Sequence, residues 1–359
     1  MKYRLYAPGP TPVPEAVLLA MAHPVHHHRT AVSEEVMDKV RKGLRWVFQT
    51  EHEVLCLVGT GTAAMEASVC NFVSLGDTVL VVNAGKFGER FTDIARAYGV
   101  HVVEITAPWG QAVCVQKVQE ALHAHPHAKA LYVQACETST GVLHPVAQIA
   151  RVCAQTPTLC VVDGITAIGV EDIAQDRDHI DVLLSGSQKA FMLPPGLSFV
   201  GVSPRAWEAY ARSTLPKFYF DLKKTYQAAQ KNQGPFTSAV SLLRGLAVSL
   251  NMMQEEGLHN MFERHKHLAL ATREGVQALG CSLFADSPAH GLTAAWAPQG
   301  CNTDRMIQLL RDRWNITLGE GQDSVKSKIF RVAHMGYYDY LDVQTVLVAL
   351  KDVIQSSTS

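Results

Sequence analysis

The chain has 359 residues, enough for two domains by the usual size prior. Hydrophobic residues make up 47% and charged residues 18%, the balance of a packed globular protein and not of a disordered or fibrous one. A formal net charge of -1 leaves no basic excess, so nucleic acid is not an expected partner.

Lys2-Tyr3-Arg4-Leu5-Tyr6 runs directly into Ala7-Pro8-Gly9-Pro10-Thr11-Pro12. No apolar signal core and no membrane-spanning stretch is expected. The last residues, Ser356 to Ser359, do not read as a peroxisomal address. The eight cysteines form no CxxC pair, and buried reduced thiols in a cytoplasmic protein are expected.

Apolar runs at Val54–Val58, Thr78–Val82, Val100–Ile105, Ala130–Val133, Leu159–Val162, Val182–Leu184 and Leu197–Val202 read as strands. Helix-like segments lie between them at Ala63–Val73, Glu89–Tyr98, Val115–Ala124 and Val146–Ala154. Fully apolar strands separated by helices predict an α/β fold, a mostly parallel seven-stranded sheet covered on both faces. Ser213–Thr237 is polar, aromatic and irregular, too long for an ordinary connector. Beyond Ser238 two long helices, Ala239–Glu255 and His259–Leu279, precede strands near Leu292–Trp296, Ile316–Leu318 and Ile329–Ala333. Helices near Thr303–Trp314 and Leu341–Ile354 accompany those strands. The expected division is an N-terminal arm over 1–14, a large α/β domain over 15–238, and a connecting helix with a smaller α+β domain over 239–359.

Ligands of open α/β sheets bind at the carboxyl ends of strands, so the residues just after each run carry the functional reading. Gly59-Thr60-Gly61-Thr62 opens a helix whose free N–H groups suit a phosphate. A tight turn with a threonine cap explains the same residues. Phe87, between Gly85 and Gly88, is either a core plug or a face for a flat ring. Glu137-Thr138-Ser139-Thr140-Gly141 is either a satisfied turn or a hydroxyl donor, through Thr138, to a ring oxygen. Asp163 ends a strongly apolar strand, which is costly without a cation or a proton; it caps a helix or faces a pyridinium nitrogen. Lys189 lies among small and apolar residues before Pro194-Pro195-Gly196, where desolvation makes a lysine a usable nucleophile. Together these match the separate needs of pyridoxal phosphate.

The same stretches carry a family resemblance. Pro8-Gly9-Pro10-Thr11-Pro12-Val13-Pro14, His28-Arg29-Thr30, the Gly59–Glu66 stretch, Gly85–Arg90, Glu137–Gly141, Val162-Asp163-Gly164, Ser185-Gly186-Ser187-Gln188-Lys189 and Phe330-Arg331-Val332 follow the family's order over nearly the whole chain. The chain resembles the class V, fold-type I aminotransferases, in the branch of alanine/serine–glyoxylate aminotransferases and soluble hydrogenase small-subunit-like proteins. The resemblance implies that Lys189 is the Schiff-base lysine and Asp163 the partner of the pyridine nitrogen. It implies that Phe87 is the stacking ring, that Thr60, Gly61, Thr62 and Gln188 contact the phosphate, and that Thr138 meets the ring oxygen. Arg331 is implied as the binder of the substrate carboxylate. Thr237 is implied as a phosphate contact from the neighbouring subunit of a homodimer. The implied reaction is transamination from alanine or serine to glyoxylate or pyruvate, by ping-pong kinetics. Gly234 and the triple His26-His27-His28 depart from the family pattern.

The alternative to this reaction is a 2-aminoethylphosphonate or other amine transaminase of the same class, and three further readings are weaker. A cysteine desulfurase needs a loop cysteine that Gly319–Lys328 lacks. A non-catalytic relative would be expected to have lost the lysine or the aspartate. A dinucleotide oxidoreductase needs a GxGxxG that does not follow the first strand. His23, His26, His27 and His28 have ligand-like spacing but no obvious carboxylate or cysteine companion, and no metal is expected.

Overall fold

The protein is described by a computed structural model over residues 2–357; Met1 and two residues of the terminal stretch above, Thr358 and Ser359, lie outside the described residues. All seven apolar runs are strands of one sheet. Their spatial order is Val54–Val58, Leu197–Val202, Val182–Gly186, Leu159–Asp163, Ala130–Gln134, Thr78–Asn83, His101–Thr106. Leu197–Val202 runs antiparallel to both neighbours, and the other pairings are parallel.

Successive strand residues point to opposite faces, and both faces are covered. Ala130, Tyr132, Leu159 and Val161 pack with Met65 and Phe91 of the helices Gly61–Cys70 and Lys86–Ala97. Leu131, Val133, Cys160 and Val162 pack on the other side with Leu44, Phe48 and Ile149. Each large side chain removed from water contributes about 1.5–3 kcal/mol, so neither face tolerates a polar residue cheaply, and the runs read as apolar without alternation. Polar residues enter where the strands end, and the chain direction brings six of those ends to one edge of the sheet, the end of His101–Thr106 among them. That edge carries the loops after Val58, Asn83, Gln134, Asp163 and Gly186.

A second sheet has the order Arg4–Tyr6, Ile316–Glu320, Ile329–Ala333, Leu292–Trp296, Ser282–Leu283. Helices Leu258–Ala278, Thr303–Trp314 and Tyr340–Ser357 pack on it around Phe330, Leu310 and Val346. Arg4–Tyr6 pairs in parallel with Ile316–Glu320. Three residues are too few for a period to show in sequence, so this strand was not foreseen. Three helices also escaped the sequence reading, Glu15–Ala22, Ala31–Phe48 and Pro204–Arg212. The second has an N-cap, Thr30, whose side chain accepts the Ser33 backbone N–H, and it buries Met37, Val40, Leu44 and Val47 at helical spacing, a signal legible in the sequence. Within the segment expected to be irregular, Asp221 caps a helix over Leu222–Ala229. The helix Val240–Glu256 buries Leu243, Leu246, Leu250 and Met253 in the same cluster as Val40 and Phe191. Among the described residues no helix is long and apolar enough to cross a membrane.

Candidate active site

Lys189 stands in the turn after Val182–Gly186, and Asp163 ends the adjacent strand Leu159–Asp163. Lys189 is 8% exposed and takes part in no ion pair among the described residues. Burial, reinforced by the Arg331 cation, lowers its ammonium to about 8, so a neutral amine is accessible near neutral pH. Its Nζ donates to the Pro8 carbonyl. The N-terminal segment is fastened over this turn by Thr11, whose backbone N–H donates to the Gln188 carbonyl at 3.1 Å and whose hydroxyl donates to the Lys189 carbonyl at 2.9 Å.

Asp163 is 5% exposed. One carboxylate oxygen accepts the Ile165 backbone N–H at 2.9 Å, and no arginine or lysine pairs with it among the described residues. Burial, with Glu137 adding to it, pushes its carboxyl up to about 7. A cation placed against it would reverse that shift.

Phe87 stands in the first turn of Lys86–Ala97, and a residue not singled out from sequence positions it. Glu137 is fully buried and accepts the backbone N–H groups of Phe87 and Gly88, each at 3.1 Å. It also accepts the Ser139 N–H at 3.1 Å and the Ser139 hydroxyl at 2.5 Å. A carboxylate at a helix N-terminus satisfies N–H groups that the helix leaves open. Close approach requires glycine at position 85, where a Cβ would lie 2.6 Å from Glu137 Cγ. The sequence signal was an acidic residue inside an otherwise apolar strand end.

The helix Gly61–Cys70 starts at the same edge. Its N-cap, Thr60, makes no side-chain cap bond, which leaves that hydroxyl uncommitted, and the Thr62 hydroxyl accepts from Arg90 at 3.2 Å. Gln188 Oε1 is buried without a hydrogen-bond partner. It converges with the Gly61 N–H on the space over Gly186, where a Cβ would sit 3.1 Å from the first and 3.5 Å from the second. A buried amide oxygen beside free helix N–H groups is unsatisfied by the protein alone.

Arg331 reaches the edge from the second sheet. Its Nη1 donates to the Thr138 carbonyl at 2.8 Å, and its Nε and Nη2 donate to the Glu320 carbonyl at 3.0 and 2.7 Å. The guanidinium is 7% exposed and makes no ion pair among the described residues. Burial lowers it to about 10. The Thr138 hydroxyl shares a hydrogen bond of 2.7 Å with Thr166.

The fold thus brings Thr60, Gly61, Thr62, Phe87, Thr138, Asp163, Gln188 and Lys189 to one edge, and Arg331 joins them across the two sheets. Thr237 is different. It is exposed on an apolar recess with Met37, Val58, Tyr219 and Phe236. His26 and His27 are exposed, and the rings of His27 and His28 lie tilted at 34° with centroids 4.5 Å apart.

The residues present fit pyridoxal phosphate. A buried carboxyl awaits a cation, a buried amine has a lowered pKa, an orphaned amide oxygen lies beside helix N–H groups, and a buried guanidinium has no anion among the described residues.

Comparison with known proteins agrees. A family model described as aminotransferase class-V matches residues 4–346. The chain is 44% identical over 358 residues to the soluble hydrogenase small subunit of Synechococcus sp. (strain PCC 6716), covering 98% of this chain and 93% of that one. It is 34% identical over 340 residues to the L-aspartate–glyoxylate aminotransferase of Paracoccus denitrificans, covering 92% and 86%. Among solved structures, the alanine–glyoxylate aminotransferase of Nostoc sp. superposes with a TM-score of 0.95 at 31% identity, covering 99% and 96%.

Proposed function

Because the chain belongs to the class V aminotransferases, fold-type I enzymes that depend on pyridoxal phosphate, we propose that it moves an amino group from alanine or serine to glyoxylate or pyruvate. One site serves donor and acceptor in turn, which gives ping-pong kinetics. When bound, the cofactor supplies an aldehyde for amine exchange and a ring that takes up electrons from the substrate Cα. Lys189 provides the amine that holds the cofactor and, once free, moves a proton to and from the substrate Cα. A pKa near 8 suits both roles. Asp163 keeps a proton on the ring nitrogen by pairing with it. Arg331 binds the substrate α-carboxylate with a two-pronged hydrogen bond and so orients the Cα–H bond.

Thr60, Gly61, Thr62 and Gln188 hold the phosphate, Phe87 stacks on the ring and Thr138 donates to its oxygen. Thr237, exposed on its recess, reaches the phosphate of a second copy in a homodimer. The observation that carries this reading is the convergence of a buried lysine, a buried arginine and a buried aspartate that have no ionic partners among the described residues. The glyoxylate reading draws on relatives such as the Paracoccus and Nostoc enzymes.

A half-reaction screen tests the proposal. Amino acids are added singly to the cofactor-loaded protein, and the visible cofactor absorbance is followed. Rapid loss with alanine or serine, restored by glyoxylate, is the expected result. A response to aspartate alone moves the donor to a dicarboxylate, and a response only to aminoethylphosphonate or glutamate overturns the substrate choice. Borohydride treatment followed by peptide mass analysis should place the added cofactor mass on Lys189.

A further inference from the structure

Arg90 is a guanidinium without a carboxylate. Three other partly buried arginines are paired, Arg41 with Glu53, Arg205 with Asp181 and Arg264 with Glu256. Arg90 enters no ion pair among the described residues. It lies one helical turn beyond Phe87, so both side chains share a face, and its guanidinium carbon sits over the Phe87 ring, 4.7 Å from the centroid. Its Nη1 donates to the Thr62 hydroxyl at 3.2 Å. The Arg90 charge is also felt at Asp163 and Lys189, where it lowers both pKa values.

A threonine hydroxyl has one hydrogen and two lone pairs. Because Arg90 occupies a lone pair of Thr62, the single hydrogen remains to be donated elsewhere, and Thr62 lies in the first turn of Gly61–Cys70, beside the open N–H groups of that helix. A helix N-terminus carries only about half a positive charge, whereas a phosphate monoester carries close to two negative ones. The cradle of Thr60, Gly61, Thr62 and Gln188 contains no cationic side chain of its own.

We propose that Arg90 is a positioning residue for the cofactor phosphate, turning the Thr62 hydroxyl hydrogen into the cradle and supplying the positive charge the cradle lacks. It rests on the cofactor assignment and not on the choice of substrates.

The test is a binding comparison on apoprotein, without amino-acid substrate. Dissociation constants for pyridoxal phosphate and for pyridoxal, which lacks the phosphate, are measured for wild type, Arg90→Gln, Arg90→Lys and Thr62→Val. Stabilisation of each apoprotein by inorganic phosphate is followed by thermal unfolding. Arg90→Gln is expected to weaken pyridoxal phosphate about ten- to hundredfold, as loss of a charge-assisted contact does. It should leave pyridoxal within about twofold and abolish stabilisation by phosphate. Arg90→Lys should restore part of the phosphate preference. The double variant Arg90→Gln/Thr62→Val should be little worse than Arg90→Gln, because the two act as one unit.

Equal weakening of both ligands overturns the proposal, since Arg90 would then only pack against Phe87, and so does unchanged binding of pyridoxal phosphate. If Arg90→Gln does not fold, Arg90→Lys and Thr62→Val decide by the same ratio. A wild type that binds pyridoxal phosphate but ignores glyoxylate sinks the substrate reading and leaves this one standing.

Discussion

Asp163, Lys189 and Arg331 are buried ionisable groups that lack, among the described residues, the ionic partners such groups normally require. For Asp163 the consequence is measurable in the apoprotein. Burial pushes its carboxyl from the ordinary 3.8 up to about 7, so the folded state favours the protonated form. The associated stability is present below about pH 4 and lost as the pH rises through 7. Asp163→Asn keeps an acceptor for the Ile165 N–H and removes the charge. Above pH 7 the apo variant should be more stable than apo wild type in urea denaturation, by up to about 4 kcal/mol. The same variant, loaded with cofactor, should lose about 10²–10³-fold in turnover. An apo variant less stable than wild type at pH 8 would falsify the assignment of strain to Asp163. For Arg331 the expected signature is in substrate affinity. Arg331→Gln should raise KM for the amino donor by about a hundredfold or more, since a buried two-pronged contact to a carboxylate is lost. Steady-state kinetics with the wild-type donor decide this, and an unchanged KM would count against the carboxylate role. At this scale the strand-end residues were legible, because a lone polar group closing an apolar run has few structural explanations. Glu137 and Arg90 were not read out, because what marks them is a partner many positions away.

At the scale of elements, Glu137 joins two of them. It lies fully buried at the end of one strand loop and accepts the first N–H groups of the helix Lys86–Ala97. Glu137→Gln replaces one acceptor oxygen with a donor that faces those N–H groups. The loss should be about 1–3 kcal/mol of stability, seen as a lower urea midpoint. Because Phe87 moves with the helix start, weaker cofactor binding should accompany it. A variant as stable as wild type would show that the clamp does not hold the helix. Elements of eight or more residues with a clear apolar face were mostly readable. The helix Ala31–Phe48 was readable and overlooked, whereas the strand Arg4–Tyr6 was not, since its pairing with Ile316–Glu320 is decided by a segment some three hundred residues away.

For the whole molecule, the two sheets meet through Arg331 and Thr138, and buried histidines are held in neutral form. His265 accepts the Gly336 N–H on Nε2 at 2.9 Å while Nδ1 faces the Met261 carbonyl at 2.7 Å. His144 accepts the Val113 N–H at 3.0 Å. Burial lowers His265 to about 3 and His144 to about 4. Lowered histidines contribute stability that is fully present above about pH 6.5 and is lost as the pH falls through those values. The cofactor-loaded protein should therefore unfold at progressively lower urea concentration from pH 6.5 down to pH 4, and His265→Gln should flatten that slope. A slope unchanged in the variant would remove His265 from the acid response. The amino-acid sequence by itself determined the seven strands, the residues at their ends and the chemistry those residues could perform, because burial on both faces leaves a run of apolar residues that any reading detects. Only the tertiary structure decided that Pro8, Glu137, Arg90 and Arg331 close on the same edge. A carbonyl, carboxylate or guanidinium takes its partner from how sheets and helices pack, and that choice leaves no periodic trace in the chain.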